Sequence, residues 1–80
     1  MDKSAIAKAM LSTVFHYERG MSEEERRIVR AGIVRRGVQP PEAFAKELVD
    51  GPMLYHSAID AAERYLNRYK KVFEMEVKGK

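Results

Sequence analysis

His56, Asp60 and Glu63 come nearest, in residue type and spacing, to a metal site in this chain. Their i, i+4, i+7 spacing sets an imidazole and two carboxylates along one side of a helix, a donor set that zinc uses. Metal sites in helical proteins are built inward. These three lie opposite the run Leu54, Tyr65, Tyr69, so the expectation is a solvated surface and no metal. His16 is the other candidate for proton transfer. It shares the polar side of its own helix with Ser12 and Arg19, and it becomes half of a catalytic pair only if it converges with His56 across two helices. The chain has no cysteine, which excludes thiol catalysis, disulfides and Cys-ligated zinc. It also has no glycine-rich phosphate loop, nucleophile elbow or two-histidine zinc motif. The reading is of a protein that is not an enzyme, with no catalytic residue and no cofactor.

Anion binding has better candidates. Arg26, Arg27, Arg30, Arg35 and Arg36 place five guanidiniums within eleven residues, the kind of cluster that phosphate backbones attract. Glu23 precedes Arg26 and Arg27 at helical ion-pair spacing, and Arg35 and Arg36 suit the negative end of a helix dipole. Five arginines against three glutamates leave only +2 over Met21–Gly37. A second basic stripe comprises Arg64, Arg68, Lys71 and Lys78. Asp60 is spaced to pair with Arg64 and Glu74 with Lys78, so Arg68 and Lys71 are the freer cations. A helix-turn-helix reading fails on charge, since Glu42, Glu47 and Asp50 outnumber Lys46 on the segment that would have to enter the groove. The four tyrosines, Tyr17, Tyr55, Tyr65 and Tyr69, fall on apolar faces and read as core-boundary residues rather than a base-stacking surface.

Four helices must position these groups. The first, about 3–19, has Asp2 as its cap and Gly20 as an expected left-handed stop. Ile6, Ala7, Met10, Leu11, Val14 and Tyr17 share one face of it. Ser22 and Glu25 form a capping box for the second, about 23–36, whose narrow seam is Ile28, Val29 and Ile33 with Gly32 between them. Gly37 ends that helix, with Val38 as the hydrophobic residue after the stop. Pro40 and Pro41 open the third, about 41–49, with Phe44, Ala45, Leu48 and Val49 inward and Gly51-Pro52 as its terminator. The fourth, about 53–76, is the longest. Its broad apolar face runs through Leu54, Tyr55, Ala58, Ile59, Ala62, Tyr65, Leu66, Tyr69, Val72 and Phe73.

The expected architecture is therefore all-α, a single compact four-helix domain over 1–80 with a long C-terminal helix. Eighty residues, 45% hydrophobic and 34% charged, support one core and no second one. No uncharged run approaches the roughly 20 residues of a membrane span. The first twenty residues do not read as a secretory leader, and a cytoplasmic location is the default expectation. A fourth helix of about 24 residues is a rod of roughly 36 Å, against roughly 30 Å for a globule of this size. Its end should overhang, leaving Tyr69, Val72 and Phe73 as a protein interface. The function that follows is non-catalytic binding through protein–protein contacts, as a homodimer. The alternative is a nucleic-acid-binding protein using the basic surfaces of helices 2 and 4.

Overall fold

The computed structural model describes residues 2–79 and is all-α. Four α-helices follow one another: α1 (Lys3–Arg19), α2 (Glu23–Arg35), α3 (Pro41–Asp50) and α4 (Tyr55–Phe73). A π-helical segment, Glu74–Lys78, continues α4 without a break. Together α4 and this segment make the long C-terminal rod. α1 packs against both α3 and α4, while α2 packs against α4 and the π-helical segment.

The local signals act as expected at most helix ends. The Asp2 carboxylate accepts from the Ser4 amide at 3.0 Å. The Ser22 hydroxyl accepts from the Glu25 amide at 3.0 Å, and the Glu25 carboxylate from the Ser22 amide at 2.8 Å, which satisfies two donors the helix cannot. α2 stops at Gly37, whose φ of 76° lies in the left-handed region. The Gly37 amide there reaches the Val34 carbonyl and the Val38 amide the Ile33 carbonyl, both at 3.0 Å. Val38 is thereby buried beside Ile33, which locks the turn to the core. No heavy atom stands within 4 Å of where a Gly37 Cβ would be. Gly37→Ala should then cost only its backbone strain, about 1–2 kcal/mol in urea denaturation, with the helical circular dichroism unchanged.

Three expectations are corrected. Gly20 ends α1 with φ −86°, not in the left-handed region, because its amide and that of Met21 turn back onto the Tyr17 and Glu18 carbonyls. α4 begins at Tyr55 and not at Met53. The Lys3 ammonium takes the carbonyls of Gly51 and Met53, at 2.7 and 2.8 Å, so Met53 does not start the helical ladder. Leu54 is consequently exposed, and Ala61 joins the buried face of α4 in its place.

The third correction concerns the end of the rod. The end of the rod does not overhang, because α2 packs against both α4 and the π-helical segment. Tyr69 is 1% and Val72 4% exposed, and Phe73 is half-buried. Tyr17 of α1 covers them, its ring 6.2 Å from that of Tyr69 and 6.1 Å from that of Phe73. Lys78 lies over the Phe73 ring at 5.4 Å. Tyr69, Val72 and Phe73 are core, filled from within the chain, and not an uncovered interface.

The π-helical segment has a positional consequence. Glu76 sits over Gly32 of α2, where a Cβ would stand 3.0 Å from the Glu76 Cγ. The missing side chain at Gly32 leaves room for this close approach.

Candidate functional site

Glu18 is the one buried charged residue among the described residues, at 6% exposure. It follows Met10 and Val14 at helical spacing, and on a wheel it falls between Ala7 and Leu11, inside the apolar face of α1. Arg30 of α2 reaches it from across the interface. Its Nε donates to Glu18 Oε2 at 2.6 Å and one terminal nitrogen to Oε1 at 3.0 Å. Arg30 then donates to both oxygens of Glu42 at the start of α3, at 2.7 and 3.1 Å. The Tyr69 hydroxyl completes the cluster by donating to Glu18 Oε2 at 3.2 Å.

Hydrogen bonding to Glu18 raises the Arg30 pKa above its ordinary range, and Arg30 in turn holds the Glu42 carboxyl below its own. Burial is the main force pushing the Tyr69 hydroxyl upward, followed by the charge of Glu18. Burial likewise raises the Tyr65 hydroxyl, which donates to the Gln39 carbonyl while its ring stacks on Phe44 at 4.5 Å. This cluster joins α1, α2, α3 and α4 at one point. Both Glu18 oxygens and four Arg30 protons are engaged, so the group is a structural clamp with little capacity left for a ligand.

The clamp divides the arginine cluster. Arg30 is consumed by it. Arg35 and Arg36 both point to Glu76, Arg35 at 2.5 Å and Arg36 at 3.4 Å, pinning the π-helical segment to α2. Arg26 and Arg27 are exposed and, among the described residues, have no acidic partner, since the local pairing with Glu23 is not made. On α4, Arg64 and Arg68 line a shallow groove with Phe44, Ala61 and Tyr65. Asp60 and Glu74 do not form the ion pairs their spacing offers, and Lys71 is exposed without a partner among the described residues. The two expected basic surfaces are thus reduced to Arg26 and Arg27 on one side and Arg64, Arg68 and Lys71 on the other.

His16 and His56 are both exposed. The Tyr55 ring meets that of His56 edge-on at 6.0 Å. Among the described residues, no three His, Asp or Glu side chains gather into a metal-binding group.

Two further concave surfaces use residues that sequence reasoning left unassigned. An apolar groove of about 360 Å³ runs between α1 and α4, lined on α1 by Ala5, Ile6, Ala9 and Thr13 and on α4 by Tyr55, Ile59 and Leu66. Glu63 is its one charged wall residue. Ile59, 37% exposed, rises beside the exposed small residues Ala5 and Ala9. A polar groove of about 600 Å³ lies between α1, α2 and α3, where Phe15, 43% exposed, stands against Arg26 and Arg27 above the Arg30 clamp. Periodicity carried a partial signal for α1: Ala5, Ala9 and Thr13 repeat every four residues in a stripe that drifts from the polar side to the edge of the apolar face at Ile6, and Phe15 falls just past the other edge. Comparison of the chain with protein families, with curated proteins and with solved structures finds no match.

Proposed function

We infer that this chain is a small, non-catalytic helical binding protein that works through protein–protein contact, and that it pairs with a second copy of itself through the α1–α4 groove. One observation carries this reading: a mainly apolar concavity lies beside its own complementary ridge. Under a two-fold axis, Ile59 of each copy inserts over the Ala5 and Ala9 stripe of the other, which is what an isologous contact requires. Small side chains let two helices approach closely, and the bulky residue fills the space between them.

Charge favours the same face. The chain carries +3, and a self-contact is least opposed where like charges do not meet. The α1–α4 groove has a single charged residue in its wall, Glu63, whereas the groove at Phe15 has six, Arg26, Arg27 and Arg30 among them. An 80-residue domain with no cysteine also belongs to the size class in which association adds needed stability.

The test is sedimentation equilibrium across a concentration series for the native chain and Ile59→Asp. Ile59 is 37% exposed in the single chain, so covering that remainder in both copies is worth roughly 1–2 kcal/mol, and the substitution should raise the dimer Kd about tenfold. Because Ile59 is partly exposed, the variant should stay folded with native helical content. A native chain that remains monomeric at millimolar concentration contradicts the reading.

A further inference from the structure

The Phe15 surface is separate from the α1–α4 groove. It lies roughly half a turn away around α1 and shares no wall residue with that groove. Phe15 stands between two concavities. On one side are Arg26 and Arg27, and on the other Leu11, Lys8 and Arg19. These four cations have no acidic partner among the described residues. Glu18 and Glu42 both bind Arg30, and with Glu23 they set three carboxylates against the five cations Lys8, Arg19, Arg26, Arg27 and Arg30 in the walls of the two concavities, a net charge of +2 around Phe15. A large aromatic ring, 43% exposed, thus stands among four cations that have no acidic partner among the described residues.

We propose that this surface docks a short acidic segment of a partner protein, with one large apolar side chain of that segment packing on Phe15 and its carboxylates pairing with Arg19, Arg26 and Arg27. Charge complementarity selects the occupant. A second copy of this chain would bring the same cations against these, so self-pairing is disfavoured here. A nucleic-acid strand needs a continuous basic track and successive stacking rings, and this surface offers one ring and a spot of positive charge bounded by Glu23 and Glu42. An acidic segment with a single apolar anchor matches both the size of the spot and its one ring. Arginine suits this use because its planar guanidinium grips a carboxylate with two parallel hydrogen bonds. The Arg30 clamp fixes α2 against α1 and so sets the spacing between Phe15 and the two free arginines.

The experiment is fluorescence anisotropy with a dye-labelled synthetic peptide of aspartates and glutamates around one leucine. Controls are the same peptide with serine for leucine, the same peptide with glutamines for its acids, and labelled oligothymidylate. The full chain is compared with Phe15→Ser, Arg26→Ser/Arg27→Ser and Arg64→Ser/Arg68→Ser, each with its thermal midpoint recorded. The first two variants should each weaken the acidic peptide at least about tenfold, a change of 1.4 kcal/mol, and the third should leave it unchanged. Both altered peptides should bind more weakly than the parent, and rising salt should weaken the parent. The same result in the Ile59→Asp background separates this site from self-association. Peptide binding that is absent, that ignores both Phe15 and the Arg26/Arg27 pair, or that follows Arg64 and Arg68 overturns the proposal. Tighter binding of oligothymidylate through Arg26 and Arg27 overturns it in favour of single-stranded nucleic acid.

Discussion

Val72→Asp should unfold the domain at room temperature, whereas Ile59→Asp on the same helix should leave it folded. Val72 is 4% exposed and belongs to the core, so the substitution removes its burial and places a carboxylate in the apolar cluster. Lost burial of a valine is worth roughly 1.5–3 kcal/mol, and an uncompensated buried polar group adds several more. The total, roughly 4–10 kcal/mol, is comparable to the about 4–12 kcal/mol that a domain of this length holds at typical per-residue stability. Far-ultraviolet circular dichroism of the two variants at equal concentration checks the contrast. A folded Val72→Asp chain that has merely lost self-association would restore the end of α4 as an exposed interface and contradict the packing of Tyr17 over Tyr69 and Phe73.

Arg30→Met should destabilise the domain by about 3 kcal/mol, near the lower end of the range for breaking a buried ion pair because Arg30 is partly exposed. The cost comes less from the lost attraction than from Glu18, which is left charged and buried without its main donor. Replacing both residues, as Glu18→Leu with Arg30→Met, should return most of the loss, since an apolar pair in that space leaves no charge unpaired. Urea denaturation of the native chain, both single variants and the double variant yields the coupling directly. A loss below about 1 kcal/mol for Arg30→Met would reduce the clamp to an ordinary surface ion pair.

The same cluster has a pH signature. Glu42 has a folded pKa held below its ordinary value of 4.5, so its contribution is present above that value and is lost as pH falls through the lowered one. Arg30→Met should flatten that acid limb of the stability profile.

What was legible in the chain was local. The Ser22/Glu25 box, the Gly37 turn with Val38 and the proline start of α3 are each specified within six residues, and each appears as its spacing implies. The apolar period of α1 and the Val29, Ile33 seam of α2 likewise found the core. The ion pairs were not legible, because those that form join residues 12, 40 and 41 positions apart while the local i, i+4 pairs stay open. Tertiary approach decided them. The cover over the end of α4 is likewise tertiary, since Tyr17 of α1 and the approach of α2 supply it and helix length does not specify either. Glu18 did carry a signal that could have been weighed, a carboxylate set inside an apolar face, which demands a buried partner.

Isotope-filtered nuclear Overhauser spectroscopy tests the central claim most directly, using an equimolar mixture of labelled and unlabelled chains at a concentration above the dimer Kd. Pairing through the α1–α4 groove predicts intermolecular cross-peaks between the Ile59 methyls of one copy and the Ala5 and Ala9 methyls of the other. Their absence at a concentration where sedimentation gives a dimer, or cross-peaks centred on any other face, would contradict it.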